Sequence, residues 1–247
     1  MNMLVDTSSK KPKGNSVCLD SNSALMRYKI AIMNGPRQEA SRAIWEHPNL
    51  TRLMPWVMVR TYLISNGSVP LMQAALERCK TLSNKDTIAA ALVPYFEEHI
   101  EEERGHDEQF LADIEFLGLS REQVLQKLPY PSLVALIGMQ YYWINHQHPV
   151  AFLGYAATIE GDPVPETLID ETIQVTQLPA EGFKTLRWHS KFDPDHTSHL
   201  DAVVDQLPLS ESQHSLIGVN IAHTHAKLAA SVYEMITDFE QIQHTYC

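Results

Sequence analysis

Residues His99 to His106, HIEEERGH, crowd two histidines and four charged side chains into eight positions of a segment that is otherwise striped with apolar residues. On a regular helix His99, Glu102, Glu103 and His106 fall at about 0°, −60°, +40° and −20°, so all four can look the same way. A second block, RWHSKFDPDH, places His189, Asp193 and His196 in an HxxxDxxH spacing, at about 0°, +40° and −20°. His189 and His196 are then about 10.5 Å apart along the axis, too far for one ion but suited to two ions roughly 4 Å apart. A third group is Glu160, which ends the apolar stretch AFLGYAATIEG with no helical neighbour of opposite charge. Burying such a lone carboxylate costs several kcal/mol, about what a metal partner would offset.

The chemistry these groups can do is set by their atoms. Carboxylates and imidazoles without thiolate suit iron or manganese, and carboxylates that bridge are how helix bundles hold two such ions. The three cysteines, Cys18, Cys79 and Cys247, have neither CxxC nor zinc-type spacing, so neither a thiolate site nor a disulfide framework is expected. Each block also has a plainer reading. HIEEERGH suits a solvated face on which Glu101 or Glu103 pairs with Arg104, and HxxxDxxH suits a polar cluster capped by Asp193 and Asp195 beside Pro194. Three one-sided blocks in one chain favour the metal.

The elements that must position these groups are helices. The 3.6-residue apolar period holds from Asp86 through Gly118 as one helix, through PSLVALIGMQYYWINH, PVAFLGYAATIEG and PETLIDETIQV, and through the final SESQHSLIGVNIAHTHAKLAASVYEMITDF. Asp86, Ser120 and Ser210 stand where N-caps belong, and Gly118 and Gly161 just past helix ends. Pro194 predicts a break between PAEGFKTLRWHSKFD and PDHTSHLDAVVDQL, because a proline inside a helix costs about 3 kcal/mol. No convincing strand is found. The expectation is an all-α fold, a single bundle of about eight to ten helices over residues 24–247 after a polar, mobile arm at 1–23.

The bulk numbers narrow the partners. The 247 residues are 44% hydrophobic, enough for a sizeable core, and 19 Lys+Arg against 30 Asp+Glu give a formal charge of −11. A phosphate backbone or an anionic membrane would be repelled, so neither nucleic acid nor membrane is expected. No run reaches the roughly 18 apolar residues of a membrane span, and MNMLVDTSSKKPKGNS has no apolar signal core, which predicts a cytoplasmic protein. A small-molecule substrate is the expected partner, and a homodimer is left open.

EEERGHDEQFLADIEFLG, HPVAFLGYAATIEG and HSKFDPDH, in that order, resemble the haem-oxygenase-like diiron oxidases and oxygenases, the iron-containing redox enzymes. The resemblance implies the haem-oxygenase-like fold, two Fe ions with O2 as cosubstrate, and the ligands Glu103, His106, Glu160, His189, Asp193 and His196. Some members carry the first Glu seven positions before the first His, where this chain has His99, so Glu103 is preferred and Glu102 held in reserve. The resemblance also implies O2-dependent C–H activation, N-oxygenation or C–C cleavage of a small organic substrate. An amino acid or a derivative is favoured, such as the tryptophan derivative that one type of member turns into a nitrile, in specialised metabolism. Tyr141, Tyr142, Phe152 and Tyr155 are candidates for the substrate pocket.

Three other functions compete. A metal-free hydrolase of the same fold would use a cysteine, a ligand-binding bundle would need no buried acids, and a ferritin-like protein would need a second ExxH set, for which Glu211 and His214 are the candidates. His146, His148, His199, His223 and His225 are left unassigned.

Overall fold

A computed structural model describes residues 20–245, with side chains to residue 241. The expected arm at 1–23 lies outside the described residues except for its last four positions. From there the chain runs through α1 (Asn22–Met33), α2 (Gly35–Trp45), α3 (Leu50–Leu82), α4 (Thr87–Glu103), α5 (His106–Phe116), α6 (Arg121–Gln126), α7 (Pro131–Tyr142), α8 (Phe152–Glu160), α9 (Glu166–Thr176), α10 (Lys184–Gln206) and α11 (Glu211–Thr245). Short single-turn helices precede α8 and α10. There is no strand among the described residues, and no described helix is long and apolar enough to cross a membrane.

Two long helices make the frame. α11 packs against α1, α2, α3, α7 and α8, and α3 packs against α4, α5 and α7. The buried side chains Leu53, Met54, Met58, Leu71, Leu92, Phe96, Leu136, Phe152 and Ile221 belong to one continuous core between them. A buried polar pair crosses it, in which the Asn220 amide donates to Gln140 Oε1 at 2.7 Å, so α7 and α11 are locked in register.

Two expectations about helix continuity fail. The stretch read as one helix from Asp86 to Gly118 is split, because Gly105 adopts φ +88° and ends α4 at Glu103. That left-handed step is open to glycine at little cost and disfavoured for other residues. Conversely, α10 runs unbroken through Pro194, where a break was expected. Pro194 is exposed, so the carbonyl it leaves unbonded on Ser190 lies on the wet side of the helix, where water can serve it.

Candidate metal centre

α4 brings the first ligands inward by continuing its apolar stripe. Asp86 caps the helix by accepting from the Ile88 and Ala89 amides at 2.9 Å, and the buried positions then run Leu92, Tyr95, Phe96, His99, Ile100 and Glu103. His99 and Glu103 thus occupy core positions of an amphipathic helix. Arg104 is turned outward, where it pairs with exposed Glu101 at 2.6 Å. After the Gly105 turn, His106 opens α5 buried, and its Nδ1 donates to Glu103 Oε2 at 3.0 Å.

α8 delivers Glu160 at its carboxyl end. That end is fastened by basic side chains: Arg27 Nη1 donates to the Ala157 carbonyl at 3.1 Å and Arg37 Nη1 to the Thr158 carbonyl at 2.8 Å. These bonds satisfy carbonyls that a helix terminus leaves free, and they complement its dipole. Small Ala156 and Ala157 lie against the core just before it. α10 supplies the rest, with His189, buried Asp193 and His196 on its inner face.

These groups meet. His99, Glu160 and His196 each offer a ligand atom within 4.8 Å of the others, and so do Glu103, His106 and His189. The two triads adjoin, since Glu103 Oε1 lies 3.6 Å from His196 Nδ1. Asp193 belongs to neither triad; its Oδ1 accepts from His189 Nδ1 at 2.9 Å and sets that ring from behind. Glu102 does the same for His99, accepting from Nδ1 at 3.1 Å, while it stands 3.9 Å from His196 Nε2 at the outer edge. His99 is the member that sequence reasoning left out of the ligand set. Its signal was its register, in the same stripe as Leu92, Tyr95 and Phe96.

The donor set fits a pair of cations. Glu103 Oε1, Glu160 Oε2, His189 Nε2 and His196 Nδ1 are all buried with no hydrogen-bond partner, and each belongs to a triad. Buried polar atoms are nearly always paired, so four orphans converging on one small volume mark where cations would sit. The charge balance agrees. Burial opposes protonation of His99, yet Glu160, Glu103 and Glu102 outweigh it and hold the ring at a pKa of about 9. Burial likewise disfavours the Glu103 anion, but His106, His189 and His99 draw its carboxyl below the usual range. The acids favour the imidazolium on His99 and on His189, a positive charge that a metal ion would otherwise supply.

A cavity of about 210 Å³ opens beside the triads and touches Glu103, Glu160, His189 and Asp193. Phe152 and Tyr155 line it, and the Tyr155 hydroxyl lies 3.3 Å from Ser68 Oγ. Tyr141 and Tyr142 do not line it and are exposed at 38% and 52%. Tyr95 stacks on His99 at 5.4 Å, and Trp188 meets His106 edge-on at 4.5 Å, so aromatic rings shield both triads.

Residues 56–228, well over half of the chain, match the model of the family described as iron-containing redox enzyme. The chain belongs to the iron-containing redox enzyme family. Two solved structures share its fold. A domain of unknown function with a heme oxygenase-like fold from Shewanella denitrificans OS217 superposes with a TM-score of 0.74 at 18% identity, over 89% of this chain and 93% of that one. A TenA homolog from Pseudomonas syringae pv. tomato str. DC3000 gives 0.64 at 11% identity, over 88% and 93%. No curated protein matches. At these identities the structural likeness establishes the haem-oxygenase-like fold alone, so an iron-linked redox role follows from the family match.

Proposed function

We propose that this protein is a non-haem diiron oxidase or oxygenase that uses O2 on a small organic substrate, an amino acid or a derivative of one. The observation that carries the reading is the set of four orphaned, buried ligand atoms shared between two adjoining triads. A pair of ferrous ions supplies, when bound, the capacity to activate O2 for hydrogen removal, oxygen transfer or bond cleavage. His99, Glu160 and His196 would hold one ion, and Glu103, His106 and His189 the other. Glu103, whose Oε1 lies 3.6 Å from His196 Nδ1, would be shared between them.

The chain's own part is to orient and to screen. Asp193 and Glu102 fix the rotation of His189 and His99 and make them better donors. Phe152 and Tyr155 give the substrate a dry wall against the ligand cluster, which keeps bulk water from a reactive centre.

The rival readings fare less well on particular residues. Cys79, the one cysteine among the described residues, is buried away from the cavity, and burial together with Asp86 pushes its thiol up to about 12. It is therefore a poor nucleophile for a metal-free hydrolase. Glu211, which a ferritin-like centre would need inside, is exposed.

Iron analysis of protein reconstituted anaerobically with ferrous iron decides the matter. About two equivalents per chain are expected for a bridged pair, falling to about one in His99→Ala and in His106→Ala. Retention near zero in the wild-type protein would leave a metal-free bundle and end the proposal. Substrate-triggered O2 consumption across amino acids would then identify the reaction.

A further inference from the structure

The cavity beside the ligand cluster has a second chemical character. Arg37 and Arg60 line it together with Glu103, Glu160 and Asp193, yet Arg60 pairs with none of those acids. Among the described residues Arg60 has no carboxylate within salt-bridge distance. Its Nε donates to Ser231 Oγ at 2.7 Å and its Nη2 to the Leu228 carbonyl at 2.9 Å, both on α11. A guanidinium has five N–H donors, so two neutral bonds leave most of the end-on edge unused. Arg60 is half-buried and lines the cavity.

Arg37 makes the deficit worse. It is committed to the Thr158 and Asp162 carbonyls, and its nearest carboxylate is that of Asp162, 3.6 Å away and more than half exposed. Enclosure and the Arg37 charge both work against the Arg60 cation and bring its pKa down to about 10, which leaves it charged at neutral pH. Among the described residues the two guanidiniums have one carboxylate within 4 Å, that of Asp162 on Arg37, while Glu103, Glu160 and Asp193 line the same cavity beyond that reach. Tying α3 to α11 could be done by a neutral amide without the cost of enclosing a cation, since both acceptors are neutral. The unused donors and the uncompensated charge call for an anion, and a guanidinium fork matches a carboxylate.

We propose that Arg60, backed by Arg37, binds the free carboxylate of the substrate and so orients the rest of the molecule toward the ligand cluster. This rests on the diiron reading above for what happens next, but not for the binding itself. The substrate class that follows is a compact carboxylic acid with an apolar body, packed on Ile64, Met72, Phe152 and Tyr155. Amides, esters and acids tethered as thioesters are excluded, because they would leave the Arg60 charge unmet. The reaction that supplies this enzyme must accordingly release a free acid.

The test is calorimetric titration of the metal-free, full-length protein with four acids and their amides: acetate, 3-phenylpropionate, L-phenylalanine and L-tryptophan. At least one acid should bind tenfold or more tighter than its amide. Arg60→Gln should abolish that preference, and Arg60→Lys should keep part of it. Because the arginine is uncompensated without ligand, Arg60→Gln should melt at or above the wild-type temperature, and its helical circular dichroism checks the fold. No preference for any acid over its amide in the wild-type protein, or a preference of unchanged size in Arg60→Gln, would overturn the subsite. Iron content of the same preparations is read separately, so about two irons with no acid preference refutes the anchor alone, and an acid preference with no iron refutes the diiron reading alone.

Discussion

At the scale of single residues, two histidines carry opposite electrostatic burdens. His99 sits between carboxylates on both ring nitrogens, 2.9 Å from Glu160 and 3.1 Å from Glu102, which favours the imidazolium up to a pKa of about 9. An imidazolium cannot ligate, so an ion held by His99, Glu160 and His196 must expel the His99 proton to bind. Metal affinity of the wild-type protein should therefore rise between pH 6.5 and pH 9, by up to about tenfold per pH unit for each proton displaced. Calorimetry with ferrous iron in buffers of differing ionisation enthalpy reads the proton count directly, and affinity that is flat over that range would contradict the assignment. Without metal the same group works the other way: its stabilising contribution is complete below pH 6.5 and is lost as pH rises through 9.

His225 is the converse case. It is 1% exposed with neither ring nitrogen hydrogen-bonded, and desolvation and the Arg37 charge, only partly opposed by Asp162, depress its pKa to about 4. A histidine held neutral stabilises the fold fully above pH 6.5, and that contribution is lost as pH falls through 4. Of the order of 3 kcal/mol is at stake for a shift of this size. Urea titrations from pH 7 to pH 4 should show a shallower loss in His225→Gln than in the wild-type protein, and parallel curves would refute the cause. Neither behaviour was legible from residue types. The register of His99 in the apolar stripe of α4 is readable from the sequence, but the carboxylates that meet both of its ring nitrogens, and the burial of His225 beside the Arg37 charge, come only from the packing.

At the scale of elements, the helical period identified which segments fold but not where they stop. The run from Asp86 to Gly118 keeps its apolar stripe across Arg104 and Gly105, so periodicity alone reads through the break that the φ of Gly105 creates. Pro194 misleads in the other direction, because an exposed proline can sit in a helix whose freed carbonyl meets water. Glu103 and His106 nonetheless face each other across the turn, 3.0 Å apart. That turn is testable. Nothing lies within 4 Å of a Cβ added at Gly105, so Gly105→Ala introduces backbone strain without a clash and should cost about 1 kcal/mol. It should also weaken iron at the triad of Glu103, His106 and His189 more than at the other. Gly154 differs in kind: a Cβ there would stand 2.6 Å from the Ile217 carbonyl, where α8 crosses α11. Gly154→Ala should cost about 1–3 kcal/mol by pushing the two helices apart, and Glu160 would move with α8. Thermal melts with iron analysis separate the two variants, and equal loss from both triads in Gly105→Ala would show that the turn does not position His106.

At the scale of the whole molecule, the candidate centre joins helices that are distant in the chain. Its candidate ligand groups come from α4, α5, α8 and α10, and among the described residues neither α3 nor α11 supplies one. Four carboxylates, Glu102, Glu103, Glu160 and Asp193, crowd this junction, and without cations their mutual repulsion is offset by the imidazolium forms that they favour on His99 and His189. A ligand that binds only the folded chain stabilises it by RT ln(1 + [L]/Kd), about 2.7 kcal/mol at a hundredfold excess over Kd. For a chain of this length that corresponds to roughly 5–10 °C in Tm. Ferrous iron under anaerobic conditions should raise the melting temperature by that order, chelation should reverse it, and the gain should shrink in His99→Ala or His106→Ala, where one triad is incomplete. A metal-independent melt, with the fold otherwise intact, would mean that these helices are joined by their own packing and that the buried acids serve something other than a cation.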